Sequence, residues 1–529
     1  MAQDARTRAL LAKLAGRDDI DDDFTGQRVA LILSPEDLHR PQAQLCGTFA
    51  ANLLARLHPV VTSLKVFVPS EQQRVARVPR WAAATLAETI ERMLEYIDPP
   101  LTWSVRGGAP AEAEYDLALV VGSGPNMPKA VYVGSDGWLA EFSPSRPLRM
   151  GEKKNPVGAF AAAVIGVSEV WKRILVGQAH LFPHLPILPT TVDLVFSTFD
   201  YGQSRDAPNP PLPEEVDLEA LTIAGLGAGG MACLFTLTSL EAIRGRFTQI
   251  EPDHVTDTNL NRLVVAGAAD AGDSPEDSTT KVKLGEALLA EHNIRPMSFV
   301  EPVDDALPQL DQEQLAKVVC AVHSRAARRT VQFRTPAVVW DAAATETGDF
   351  WLWRIDFGKS LCMSCRFPDG DDPEQLEAKQ LAEVVGLSEE VWYRKARDNA
   401  AFTAEEVAGI RAAAARGENP AWGFPAVGQP FGDWRADQCG KLNLPEVGDE
   451  EIPIPFAPVM AGVLVAGEVI KESLFPGDTL RGHYWNNLVG RFMPHNAPCT
   501  PSPREDCVIC ADPLMISQFR RNWPGQAAS

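Results

Sequence analysis

Cysteine is scarce in this chain, nine among 529 residues. So few argue against a disulfide-stapled secreted scaffold, and two CxxC pairs among them point to a cytoplasmic protein with a metal site. Basic residues are also in deficit: 49 Lys and Arg face 70 Asp and Glu, a net charge of −21. A surface so acidic excludes non-specific nucleic-acid binding, which needs a basic face. No apolar run reaches about 18 residues without a charge or a turn, so no membrane span is expected. The N-terminal "MAQDARTRALLAKLAGRDD" lacks the long apolar region of a signal peptide and reads as an amphipathic helix. "RDDIDDDF" at 17–24 reads as a solvated linker. What is present is an ordinary globular balance, 45% hydrophobic and 22% charged. At this length it predicts two to three domains.

Two stretches follow one plan. "GQRVALILSPEDLHRPQAQLCGTFAANLLARLHPVVTSLKVFVPS" and "LEALTIAGLGAGGMACLFTLTSLEAIRGRFTQIEPD" both read strand, loop, helix, strand. Apolar β-branched runs between amphipathic helices predict βαβ units and parallel sheets. Further on, "YDLALVVGSG" resembles "LAKVVCAVHS", and "KAVYVGSDGWLAEFS" resembles "PAVVWDAAATETGDFWLWRID". "NPVGAFAAAVIGVSEVWKRIL" resembles "APVMAGVLVAGEVIKESL", each an apolar helix starting near a proline. A duplication is expected, with its boundary in the Pro-rich "RDAPNPPLPEE" at 205–215. The alternative is the general likeness of all doubly wound domains.

The first half has no glycine triad after its first strand, where it reads "SPEDLHRPQAQLCG". The second half has Gly225, Gly227 and Gly230 between strand and helix. Such glycines permit a tight turn and close backbone approach to a phosphate at a helix N-terminus. The second half is therefore expected to bind a nucleotide and the first to have lost that ability. Glu251, after the next strand, suits ribose hydroxyls. "NLNR" then places Asn259 and Arg262 about one helical turn apart, and Lys281 supplies a second cation. A dehydrogenase does not need those groups. Cations beside a glycine loop suit the phosphates of ATP.

The combination "GLGAGG…EPDHVTDTNLNRLV…TTKVKLGEAL" resembles the ThiF/MoeB and ubiquitin-activating enzyme superfamily, over about 215–512 and more faintly over the first half. The resemblance implies two Rossmann-like adenylation-type domains in an α/β fold, the first inactive and the second active, forming an intrachain pseudo-dimer. It implies ATP, with magnesium, adenylating the C-terminal glycine carboxylate of a ubiquitin-like protein. Glu251 takes the place of the ribose-binding aspartate, and Asp253, Asn259, Arg262 and Lys281 match the other nucleotide positions. Arg8 in "DARTRALLAKLAG" matches the arginine that crosses from one domain to the other's ATP. The chain departs from the pattern at His323, where the family carries an Asp that helps hold magnesium. A histidine suits that ion poorly, and Asp341 in "VVWDAAA" is the candidate substitute.

Cys362 and Cys365, with Cys507 and Cys510, form two CxxC pairs of the kind that close a tetrahedral structural zinc site. The alternative is four reduced thiols, one pair redox-active. The family places CxxC pairs at both positions. Cys439, in the polar "DWRADQCGKLNLPEVG" near Arg435 and Lys441, precedes the segment resembling the helix after the family's catalytic cysteine. It is the candidate nucleophile for a thioester. The alternative is an ordinary surface cysteine, and Cys499 is a weaker competitor. Cys46, Cys233 and Cys320 read as packing residues.

The expected layout is an inactive domain at 1–205, a linker at 206–215, an active domain at 216–369 and 440–512, and a C-terminal tail at 513–529. A helical insert at 370–439 carries the cysteine loop. No C-terminal ubiquitin-fold domain and no conjugating-enzyme domain are expected within the chain, so a separate conjugating enzyme is the implied partner. The pattern looks most like the activating enzyme of bacterial ubiquitin-like (Bil-type) operons linked to antiphage defence. The competing readings are an adenylyltransferase without a thioester step, serving sulfur transfer or peptide modification, and a catalytically dead scaffold. A dinucleotide oxidoreductase is a distant fourth.

Overall fold

The structure is a computed structural model. It describes residues 2–16, 20, 23–183, 187–272, 276–345, 347–357, 359–367, 382, 385–414, 423–431, 434, 454–490, 492 and 502–524. Helix α1 (Ala2–Ala15) opens the chain. The first half continues with β1 (Gln27–Leu33), α2 (Pro41–Ala55), β2 (Val61–Phe67), α3 (Leu86–Ile97) and β3 (Thr102–Arg106). It then runs through β4 (Leu117–Val121), β5 (Ala130–Asp136), β6 (Leu139–Ser143), α4 (Pro156–Val176) and β7 (Leu194–Ser197). The second half repeats the series: β8 (Glu215–Ala224), α5 (Ala228–Thr238), β9 (Ala242–Ile250), α6 (Lys281–Ala290), β10 (Met297–Phe299) and β11 (Lys317–Cys320). β12 (Val338–Ala344), β13 (Asp349–Asp356), the helix Phe456–Leu474 and β14 (Gly482–Asn487) complete it.

The two seven-stranded sheets have the same order, β3-β2-β1-β4-β5-β6-β7 and β10-β9-β8-β11-β12-β13-β14. In each, the first five strands pair in parallel and the last two join through antiparallel pairings. Central strands such as β4, "LALVV", are buried along their whole length, as a sheet covered on both faces requires. Each order reverses direction beside its first strand, which opens a crevice at the strands' carboxyl ends.

Helix α4 starts as the proline predicts: Pro156 is its first residue, and the Asn155 side chain accepts the Val157 N–H at 3.0 Å. It packs on the helix Phe456–Leu474, its counterpart in the other half. Trp171 meets Phe456 edge-on at 5.8 Å, and Phe49 of α2 stacks on Phe235 of α5 at 5.8 Å. Both long helices carry a buried Glu–Lys pair three residues apart, Glu169–Lys172 and Glu468–Lys471. Lys471 donates to the Phe199 carbonyl and Tyr201 donates to Glu468, so the second pair ties the halves together. The Pro-rich linker packs rather than floats, since the Trp138 indole N–H donates to the Pro210 carbonyl at 3.1 Å. Ile20, inside the acidic stretch expected to be solvated, is 1% exposed; burial of one apolar side chain overrides its charged neighbours.

The chain divides into two compact units, one of Met1–His323, Ala327–Met363 and Ile452–Ser529, the other of Ser324–Ala326 and Ser364–Glu451. Both sheets belong to the first. The second contains the helices Glu389–Asp398 and Ala404–Ala414 around a small core of Trp392, Phe402, Ile410, Phe431 and Trp434. Among the described residues, no helix is long and apolar enough to cross a membrane.

Candidate functional site

The three glycines of the second half stand at the β8–β11 switch point and differ in why they are glycine. Gly225 has φ +91°, and a Cβ there would lie 2.6 Å from the Ala321 carbonyl carbon. A Cβ on Gly230 would collide with the Gly225 carbonyl oxygen. Local backbone geometry therefore explains these two. Gly227 has an ordinary φ of −67° at the N-cap of α5, and a Cβ there would meet no atom within 4 Å. Nothing in the protein requires glycine at 227. The backbone at the α5 N-terminus is thus open on this side, the geometry that close approach of a phosphate needs. Gly227→Ala is accordingly expected to shift folding stability by no more than about 0.5 kcal/mol, while nucleotide binding falls steeply. Gly225→Ala is expected to lower stability by about 1–3 kcal/mol. Thermal unfolding beside ATP titration of the two variants checks the contrast.

Glu251 directly follows β9. One carboxylate oxygen accepts the Leu226 amide of the glycine loop at 2.6 Å, and the other accepts the Asp253 amide at 3.2 Å. Lys281, the first residue of α6, places Nζ 3.5 Å from Glu251 and 2.8 Å from Asp253. Thr280 caps this helix, and Val255 N donates to Thr279 O at 2.8 Å, which pins the loop to the helix start. Glu251 and Lys281 are buried, whereas Asp253 is exposed. Burial pushes the Glu251 carboxyl above its ordinary range, against the pull of Lys281. A raised folded-state pKa means a contribution present below the ordinary carboxylate value and lost as pH rises through the raised one. The stability of wild type relative to Glu251→Gln is thus expected to decline over that window. Denaturation midpoints across pH measure it.

Asn259 and Arg262 share one turn, with Arg262 N donating to Asn259 O at 3.1 Å. Asn259 Oδ1 accepts the Thr256 amide, and Arg262 donates to Thr258 O at 2.8 Å. Helix α1, carrying the half-buried Arg8, lies against the Asp257–Asn259 turn. The N-terminal helix of the first half thus reaches the loop of the second.

His323 is exposed. Asp341, its expected substitute, is 0% exposed and lies 3.2 Å from Arg328 Nε, whose guanidinium also donates to the Val322 carbonyl. A cation already faces this buried carboxylate. The sequence showed the acid but not its burial against Arg328.

The first half's crevice is filled by its own side chains. At the β1–β4 switch point, Asp37 is 1% exposed and pairs with Arg40. It accepts the Ser123 amide at 2.6 Å and the Ser123 hydroxyl at 2.7 Å. A built-in carboxylate stands at the strand ends where the second half has its glycine loop. The sequence shows only that the glycine triad is missing here; the fold reveals the plug.

The Sγ atoms of Cys362, Cys365, Cys507 and Cys510 all lie within 4.8 Å of one another, and all four residues are buried. Cys362 and Cys507 stand 3.5 Å apart, too far for a disulfide of about 2.05 Å. A ZnS₄ tetrahedron with Zn–S near 2.3 Å spaces its sulfurs by about 3.8 Å, so the donor set fits zinc. Cys46, Cys233 and Cys320 are buried, and burial pushes their thiols up, Cys320 to about 12. They are packing residues, as expected. Cys439, Arg435, Lys441 and Cys499 lie outside the described residues.

No family model matches the chain. Over 515 residues it is 28% identical to a Sinorhizobium fredii protein described as uncharacterized protein y4jF, covering 94% of this chain and 91% of that one. Among solved structures it is similar to E. coli MccB with ATP, at 13% identity and a TM-score of 0.33, over 56% of this chain and 67% of that one. It is also similar to E. coli MccB with MccA, at 14% identity and a TM-score of 0.33, over 55% and 67% of the two chains. At TM-scores this low, the strand order and crevice geometry carry the reading of the fold.

Proposed function

We propose that the second half binds ATP in the β8–β11 crevice and adenylates the C-terminal glycine carboxylate of a ubiquitin-like protein. The observation that carries the nucleotide reading is the open backbone at Gly227, at the α5 N-terminus, together with the nearby Glu251–Lys281 pair. In this reading Gly225, Gly227 and Gly230 cradle the phosphates, Glu251 accepts from the ribose, and Arg262 and Lys281 offset charge at the α-phosphate. Asn259 and Asp253 order the loop, and Arg8 reaches in from the first half. Magnesium, when bound, would offset charge on the ATP phosphates, with Asp341 the nearby acid the sequence offers for it. The carboxylate oxygen attacks the α-phosphorus, the bond to the β-phosphate breaks, and pyrophosphate leaves. The Cys439 thiolate then attacks the acyl carbon, and AMP leaves as the thioester forms for transfer to a conjugating enzyme. The filled first crevice and the matched helices support an intrachain pseudo-dimer with one active site. Bacterial antiphage defence is the cellular role the sequence resemblance offers.

A non-reducing gel with ATP, magnesium and the small partner tests this for wild type and Cys439→Ala. A reducible, ATP-dependent shifted band lost in the variant is expected. Pyrophosphate exchange without such a band would remove the thioester step and leave an adenylyltransferase.

A further inference from the structure

The first half has a filled crevice, yet its α2 reaches deep into the second. Arg56, just past the α2 C-terminus, is 1% exposed. Its guanidinium donates to the carbonyls of Leu260, Val264 (3.2 Å) and Ala266 (2.8 Å). Nε donates to Asn52 Oδ1 at 2.9 Å, and Asn52 Nδ2 donates to Val264 O at 2.9 Å. One α-turn away in sequence from Arg262, the chain is thus gripped by four bonds to its backbone carbonyls. Tyr96 of α3 continues the grip. Its hydroxyl donates to Asp270 at 2.6 Å, and a Cβ on Gly267 would collide with the Tyr96 carbonyl. Asp270 in turn accepts the Gly267 amide through its side chain and the Thr279 amide through its carbonyl, both at 2.9 Å.

These contacts all fall on 260–270, the connector that joins the Asn259–Arg262 turn to Thr280 and Lys281. We infer that Arg56 and Asn52 are positioning residues that hold this connector, so that the first half is a clamp setting the spacing of the second half's two cations. The inference rests on the nucleotide reading above. The physical basis is simple: an irregular buried segment leaves carbonyls without ladder partners, and a buried guanidinium satisfies several at once. Hydrogen bonds to a charged donor are the strong ones, and a cation also suits the α2 C-terminus. A connector released from Arg56 no longer fixes where Arg262 lies relative to Lys281.

The test uses the full chain as wild type, Arg56→Lys and Tyr96→Phe, with two readouts: hydrogen exchange over 260–270 and the dissociation constant for ATP. Losing the forked donor is expected to speed exchange in that segment about tenfold, with β4 and β11 unchanged. The ATP dissociation constant is expected to rise about tenfold in Arg56→Lys and by less in Tyr96→Phe. Faster exchange with unchanged ATP affinity would overturn the positioning role and leave only structural glue. Unchanged exchange would overturn the clamp itself. If wild type binds no ATP, the nucleotide reading falls and the positioning role with it, while the exchange data still report the clamp. Should Arg56→Lys fail to fold, Tyr96→Phe carries the same comparison, with equal protection and affinity overturning the inference.

Discussion

Lys281→Met is expected to abolish detectable ATP binding and to lower the unfolding midpoint. Its Nζ lies 3.5 Å from Glu251, and both side chains are over nine-tenths buried. Removing the cation leaves a buried carboxylate without its counter-charge, which costs about 3–5 kcal/mol. The 2.8 Å contact to Asp253 adds little, because that carboxylate is 64% exposed. A site for phosphates also loses a cation worth about two orders of magnitude in rate. The double variant Glu251→Gln/Lys281→Met separates the two losses. It is expected to recover most of the stability, since no uncompensated charge remains, and none of the ATP affinity. Calorimetric unfolding and ATP titration of wild type and the two variants measure both.

Zinc removal is the other large effect. The four sulfurs lie within 4.8 Å of one another and join residues 362–365 to 507–510, distant in sequence. Structural zinc sites supply about 10–16 kcal/mol of apparent binding energy in small domains. Purified protein is expected to carry about one zinc per chain, and Cys507→Ser to lose the metal and unfold at lower temperature. Chelation of wild type is expected to reproduce that shift. Metal analysis finding no zinc, with Cys507→Ser as stable as wild type, would leave the cluster as four packed thiols.

The parts of the fold written in local pattern were legible. Apolar runs marked the buried strands, Asn155–Pro156 marked the start of α4, and three glycines marked the crevice. The cysteine pairs were legible as pairs, and the structure brings them together. What was not legible depends on where a side chain goes after folding. Asp37 lies in the stretch marked only by its lack of glycines and proves to be a buried plug. Arg56 stands at a helix end, yet the carbonyls it binds lie more than 200 residues away. Asp341 reads as a candidate metal ligand and is buried inside β12 against Arg328. Burial decides these outcomes, and it is set by segments the fold brings together: Ser123 against Asp37, and the connector of the second half against Arg56.

The central claim is that the second half activates a carboxylate with ATP. ATP–pyrophosphate exchange tests it directly, with wild type, Gly227→Ala and a ubiquitin-like partner with and without its terminal glycine. The account predicts exchange only with the intact partner, and its loss in Gly227→Ala despite an unchanged unfolding midpoint. Absence of exchange in wild type with every partner, together with binding of a dinucleotide but not ATP, would contradict it.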